Sequence, residues 1–361
     1  GSGRIVRGLG NTSEPVGSSA ASLVQQATVD YFVKAVLLVS LCVGILAGCT
    51  DATDSSTEEA SYAGAAEIGS FCDRLPRAAY ADLQKHESSN DWFEVYEIEP
   101  SIWAIYEPFQ WQEVISYLIF GSDAAVLFDT GNGIGDIRAI VDQLTDNPVK
   151  VMNSHSHFDH IGGNYQFDQI LSASTPFTLQ KSNGIRSEEL LTEVSPEALC
   201  KGLPAGVAPE DHRTRAFSIT QTVEDGDPID IGGRLLEVVR VPGHTDDSVA
   251  LLDRNAGYLW SGDSFYEGPI WLFFPETDLV AYKNSVAKLA ALAPDLKVVF
   301  PAHNTPAADP ALLLRLRETL DQVLAGEVEP AHVSDGNVEF RFGGFGFLMR
   351  EDYYRIPSAQ P

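Results

Sequence analysis

Six consecutive residues, His155-Ser156-His157-Phe158-Asp159-His160, constrain this chain more than any other part of its sequence. Three of the eight histidines fall inside them, with a carboxylate among them. They follow an apolar, strand-like stretch, 149–153, and precede Gly162-Gly163. Residues two apart on an extended segment point the same way, so His155 and His157 can face one point. The chain then turns, and Asp159 and His160 can face a second. Neutral imidazoles and a carboxylate suit zinc and similar borderline metals. One segment thus seeds two adjacent metal sites at the C-terminal end of a strand, where α/β architectures place chemistry.

Two metals need more ligands than one segment supplies. His244 follows the strand-like stretch 235–241, in Pro242-Gly243-His244. Asp263 follows 258–260, in Ser261-Gly262-Asp263, and His303 follows 297–300, in Pro301-Ala302-His303. Each repeats one arrangement: apolar strand, small residues, ligand-type side chain. A metal site at one end of a sheet sandwich needs that recurrence.

The rest of the pattern supplies the sheets. Residues 93–98 alternate apolar and polar, 102–106 less cleanly, while 114–120 and 125–128 are continuously apolar, as in strands buried on both faces. A helix fits 134–144, with Ile137, Ile140, Val141 and Leu144 on one face. Strands fit 228–231 and 235–241, joined by Gly232-Gly233, then 249–252, 258–260, 297–300 and 338–342. Helices fit 279–292 and 311–324. Residues 171–222 lack clear alternation and read as an inserted lid or substrate-shaping segment. The order suggests two sheets sandwiched between helices.

His-x-His-x-Asp-His, then Gly-His, Gly-Asp and a late Ala-His resembles the metallo-β-lactamase-fold superfamily, in its hydroxyacylglutathione hydrolase and lactonase branch. The likeness covers roughly residues 92–349, and five motif elements in order make it specific. It implies an α/β fold, an αββα sandwich of two mixed β-sheets flanked by helices. It implies His155, His157 and His244 on one metal, and Asp159, His160 and His303 on the other, with Asp263 bridging. Asp129, in Phe128-Asp129-Thr130-Gly131, matches the family's strand-end Asp and is expected to orient a ligand; otherwise it is a turn former. The cofactor expected is two Zn²⁺ per chain, with Fe or Mn as alternatives.

The chemistry this implies is hydrolysis. Paired metals polarise a carbonyl and lower the pKa of a bridging water, whose hydroxide attacks a small ester, lactone or thioester. Asp159 is expected to accept a proton as well as bind metal. Asp at position 263, where the β-lactamases of this fold usually carry Cys or Ser, weighs against antibiotic hydrolysis. The alternatives are an iron-dependent persulfide dioxygenase on the same fold, or a β-lactamase. Tyr266, three residues after Asp263, has the offset of a lactonase tyrosine that helps polarise substrate; it either stabilises an oxyanion or packs in the core. The run 269–274 is unusually aromatic, for core packing or for an apolar substrate groove. His86, His212 and His332 read as surface histidines, with His212 able to reach the pocket from the lid.

Composition sets the remaining bounds. At 44% hydrophobic residues a substantial core is possible. A net charge of −27 repels phosphate backbones, so the partner expected is a small-molecule substrate and not a nucleic acid. Lys34 precedes an apolar run, 35–46, too short for a membrane span, which ends in Leu46-Ala47-Gly48-Cys49. This resembles a bacterial lipobox, so residues 1–48 read as an upstream segment and lipoprotein signal, with Val33 the expected translation start. The expectation is export and a lipid anchor at Cys49, in the periplasm or cell envelope. Residues 49–90 read as an acidic flexible tether and pre-domain segment, 91–350 as the catalytic domain and 351–361 as a tail. Cys72 and Cys200 remain; in an oxidising compartment they either pair or stay as separate buried thiols.

Overall fold

Alternation along the strands sorts the apolar side chains into three layers. A computed structural model describes residues 68–334 and 336–354, all within one compact unit. The expected signal, Cys49, the tether as far as residue 67 and the tail from residue 355 lie outside the described residues.

A first sheet of seven strands takes them in sequence order. Strands β1 (Glu94–Glu99), β2 (Ile102–Tyr106), β3 (Ile115–Phe120) and β4 (Ala125–Phe128) are antiparallel neighbours. Helix α1 (Ile137–Leu144) then carries the chain across to the parallel β5 (Val149–Met152). Asp136 caps α1, its carboxylate accepting from Ala139 N at 3.1 Å. A single-turn helix α2 (Phe158–Ile161) leads to β6 (Ile170–Ser172). Helices α3 (Pro176–Lys181) and α4 (Ser187–Leu190) follow, and β7 (Gln221–Thr222) closes the edge, parallel to β6.

The second sheet runs β8 (Pro228–Asp230), β9 (Leu235–Arg240), β10 (Val249–Asp253) and β11 (Tyr258–Gly262), all antiparallel. Strand β12 (Pro269–Leu272) leaves it, helix α5 (Leu279–Leu292) crosses over, and β13 (Val298–Pro301) returns parallel to β11. Helix α6 (Ala311–Leu324) precedes β14 (His332–Ser334), β15 (Asn337–Arg341) and β16 (Gly346–Arg350). These three join β12 in a third, four-stranded sheet, which the sequence pattern did not separate.

Between the two large sheets lie Tyr117, Ile119, Val126 and Phe128 from one side and Val238, Leu251, Trp260 and Phe300 from the other. Their chain neighbours face outward. Leu118, Ala125 and Leu127 meet Ile137, Ile140 and Val141 of α1. Val239, Ala250, Leu252 and Leu259 meet the apolar faces of α5 and α6. Helix, sheet, sheet, helix is thus a direct consequence of period two in the strands and a one-sided apolar stripe in the helices. Each large side chain so buried contributes about 1.5–3 kcal/mol.

Two segments differ from their sequence reading. Residues 171–222 begin and end in strands of the first sheet, so the insertion proper is the stretch between β6 and β7. Residues 68–90 pack on the domain instead of trailing before it. Phe71 and Tyr80 are buried, Tyr80 stacks on Tyr106 with centroids 4.4 Å apart, and Cys72 is disulfide-bonded to Cys200. Apolar anchors and the cross-link outweigh the polar composition around them.

Candidate metal centre

The six-residue segment leaves β5 extended and then coils into α2. His157 caps that turn in a β conformation (φ −68°, ψ 156°), so His155 and His157 lie on the extended part while Asp159 and His160 lie in helical geometry. The turn is fixed from below: Thr130 N and Asn153 Nδ2 both donate to the His160 carbonyl, at 2.9 and 3.1 Å. Two glycines allow the other strand ends to close in. Gly243, at φ 139°, would put a Cβ 2.2 Å from Tyr282 N, and Gly262, at φ 53°, would put one 2.6 Å from Ser154 Cβ. His244 and Asp263 reach the site only because their predecessors carry no side chain.

The seven side chains converge. His155, His157 and His244 bring ligand atoms within 4.8 Å of one another, as do Asp159, His160 and His303, and also His155, His160 and Asp263. In the first group His157 Nδ1 lies 3.0 Å from both His155 Nε2 and His244 Nε2. Asp263 spans the two groups: its Oδ2 is 3.6 Å from His244 Nε2, and its Oδ1 is 3.4 Å from His160 Nε2 and 3.0 Å from His303 Nε2. All but His157 are buried.

Atoms outside the cage decide which ring nitrogens face in. His244 Nδ1 donates to the Trp271 carbonyl at 2.8 Å, and His303 Nδ1 to the Gln112 carbonyl at 2.7 Å. His160 Nδ1 donates to Asp129 Oδ2 at 2.9 Å, and His157 Nε2 to Glu276 Oε1 at 3.0 Å. His155 Nδ1 pairs with Ser154 Oγ at 3.0 Å. Carbonyls and carboxylates only accept, so in the neutral form these four rings turn a bare lone pair inward. Burial, reinforced by His157, pulls His244 down to about 4 and keeps it neutral. His155 is likewise held well below the usual range by burial and by His160. Lone pairs 3.0 Å apart in a dry site repel unless a cation lies between them. His160 Nε2 and Asp263 Oδ1 are buried with no hydrogen-bond partner among the described residues. The donor set therefore fits a pair of metal ions.

Carboxylates balance the second group. Burial opposes the charge of Asp263, but His303 and His160 hold it well below the usual carboxylate range. Burial likewise acts to lower His160, yet Asp159, Asp263 and Asp129 together raise it. Asp129 adopts φ 66°, with one carboxylate oxygen on His160 and the other accepting from Ser154 N at 2.7 Å. It thus orients His160 and the end of β5 from which His155, His157 and Asp159 also project.

Tyr266 lies beside the centre, its ring 4.9 Å from that of His303, but its hydroxyl donates to the Pro269 carbonyl at 2.6 Å. The proton available for an oxyanion is engaged locally. In the aromatic run, Ile270 and Leu272 enter the core while Trp271, Phe273 and Phe274 stay half-buried. Phe274 lies 5.0 Å from the His157 ring, Phe177 5.7 Å from it, and Trp111 5.2 Å from Trp271. Two segments thus bring aromatic rings to His157, and Trp111 extends them through Trp271. The outlying histidines differ. His332 is exposed, and His86 packs edge-on to Trp103. His212 is not a surface residue: it is 3% exposed, and two residues on Thr214 bridges to Ile185 within the insertion. Glu276 and the Gln112 and Trp271 carbonyls were not legible in the sequence, since each meets its histidine across 27 to 191 residues of chain.

Residues 111–321 match the Metallo-beta-lactamase superfamily. The chain belongs to this superfamily. It is 29% identical over 202 residues to an acyl-coenzyme A thioesterase MBLAC2 of Bos taurus, covering 52% of this chain and 71% of that protein. It is 28% identical over 175 residues to a hydroxyacylglutathione hydrolase of Maricaulis maris, covering 48% and 56%. A beta-lactamase domain protein from Burkholderia ambifaria superposes with a TM-score of 0.50 at 20% identity, over 68% of this chain and 80% of that one, which shows the fold. This member of the metallo-β-lactamase superfamily is a metal-dependent hydrolase.

Proposed function

We propose that the protein is a dinuclear zinc hydrolase that cleaves small esters, lactones or thioesters, with an acyl thioester as the preferred class. The observation that carries this reading is the convergence of seven ligands from four separate strand ends into two groups spanned by Asp263. A metal pair held there supplies Lewis acidity toward a carbonyl and lowers the pKa of water. The chain's own residues do the rest. Outer hydrogen bonds to Trp271, Gln112, Asp129 and Glu276 fix the rings before substrate arrives, so little reorganisation remains. Asp159, 4% exposed and 3.4 Å from His160 Nε2, is the carboxylate this reading assigns to accept a proton, although burial is outweighed by His160 and His303, which hold it below the usual carboxylate range. Trp111, Trp271, Phe274 and Phe177 offer an apolar acyl group a surface beside His157. The thioester preference draws on the two relatives named thioesterase and hydroxyacylglutathione hydrolase.

The test is a panel with zinc-loaded protein: acyl thioesters, lactones, aryl esters and nitrocefin, with oxygen uptake on glutathione persulfide as a control. Thioester hydrolysis is expected, lost on chelation and restored by zinc, and His157→Ala is expected to lose both metal and activity. Hydrolysis that survives chelation, or oxygen consumption in place of hydrolysis, overturns the reading.

We also propose that the chain is exported and lipid-anchored at Cys49. The Cys72–Cys200 disulfide supports this, since such bonds persist in oxidising compartments. Mass spectrometry of the protein from its native host is expected to find a diacylglyceryl-modified Cys49 at the mature N-terminus. An unmodified, uncleaved segment there overturns the anchor.

A further inference from the structure

Besides Asp129, two backbone positions beside the second ligand group are unusual. Glu113 and Asn304 both adopt left-handed conformations, at φ 48° and 67°. Residues other than glycine rarely do so, though Asn does more readily than most. The two face each other. Asn304 N donates to the Glu113 carbonyl at 3.2 Å, Ile115 N donates to the Ala302 carbonyl at 2.8 Å, and Val114 and His303 form an antiparallel bridge. Each sits next to an atom of the metal centre. His303 precedes Asn304, and Gln112, whose carbonyl accepts the hydrogen bond from His303 Nδ1, precedes Glu113.

One side chain grips both. Arg77 Nε donates to Glu113 Oε1 at 2.7 Å, and its Nη2 donates to Glu113 Oε2 and, at 2.7 Å, to Asn304 Oδ1. Glu113 is fully buried and also accepts from the Tyr106 hydroxyl. Asn304 is held from its other end, its Nδ2 donating to the Glu267 carbonyl at 2.8 Å. Arg77 precedes residues 111–321, the part that matches the superfamily. A strained backbone persists only where its surroundings over-determine it, and a buried carboxylate needs a charge partner. The guanidinium supplies both, with a planar fork whose nitrogens reach two acceptors on two strands-ends at once.

We propose that Arg77 is a positioning residue for the second metal site: it clamps Glu113 to Asn304 and thereby fixes His303 and the Gln112 carbonyl at the group of Asp159, His160 and His303. This rests on the dinuclear reading. Without the clamp the facing turns relax, and His303 leaves its place while His155, His157 and His244 keep theirs.

The test is metal uptake by the full chain, stripped with chelator and titrated with Co²⁺ or Zn²⁺, with bound metal counted by mass spectrometry and Co²⁺ followed by its absorption. Wild type is expected to bind two ions. Arg77→Met is expected to keep one ion at unchanged affinity and to bind the other about 10–100-fold more weakly. Arg77→Lys is expected to resemble Arg77→Met, because an ammonium cannot span both acceptors. Asn304→Gly retains the left-handed backbone, removes the Oδ1 contact and is expected to weaken the same ion; it decides the matter if Arg77→Met does not fold. Wild-type affinity for both ions in these variants, or an equal loss at both, overturns the clamp. A wild-type chain that takes up a single ion overturns the dinuclear reading and the proposal with it, and is thus told apart from failure of the clamp alone.

Discussion

His212 shows what a single residue can hide. It lies in the insertion, 3% exposed, with its Nε2 unpartnered among the described residues. Burial alone pulls its imidazole down to about 4, below the usual 6.5. The sign follows from which state binds the proton. Below pH 6.5 the unfolded chain protonates His212 and the folded one does not, so stability present at neutral pH is lost as pH falls toward 4. The loss is on the order of 3 kcal/mol at its limit. Guanidinium unfolding at pH 7 and pH 4.5 is expected to show His212→Gln losing less stability on acidification than wild type. Equal losses would place the imidazole in water. In sequence, one histidine between Asp211 and Arg213 carried no sign of burial, because a distant fold-back decides it. The seven candidate ligands were legible for the opposite reason. They follow the ends of four strands, four of them in the single segment after β5, so their placement is nearly local.

Among elements, legibility followed periodicity. Helix α1 and strands β8 to β11 lie close to where the pattern put them: one buried face imposes a period on α1, β8 and β9, and burial on both faces makes β10 and β11 continuous apolar runs. Strands β6 and β7, of three and two residues, are too short to carry one. Helix α3 is held by side-chain bonds that no local pattern announces. Thr175 Oγ1 donates to Asp246 at 2.7 Å and Thr178 Oγ1 to the buried Asp247 at 2.8 Å, just beyond His244. The helix that presents Phe177 to His157 is thereby tied to the loop of another ligand. Strand β12 read as an aromatic cluster, yet its alternation gives Ile270 and Leu272 to the core and Trp271 to the site.

For the molecule as a whole, the disulfide joins the segment ahead of β1 to the insertion, across 128 residues of sequence. Nearby, Cys200 N donates to the Phe109 carbonyl at 2.9 Å and Trp111 N to the Ala198 carbonyl at 3.0 Å. The cross-link therefore holds the insertion against the loop that carries Trp111 and Gln112. Closing so long a loop stabilises by about 2–5 kcal/mol. The Cys72→Ser/Cys200→Ser variant is expected to unfold at lower guanidinium concentration by that margin; an unchanged midpoint would show the cross-link to be idle. The sequence by itself determined the layered α/β class and singled out the seven His and Asp side chains that converge, since strand periodicity and side chains placed just after strands are local properties. Only the tertiary structure decided what holds the ligands in register: the carbonyls, Glu276, the Arg77 grip and the aromatic wall. Those contacts join residues far apart in the chain, and no spacing along a sequence encodes which distant side chains a fold brings within 3 Å.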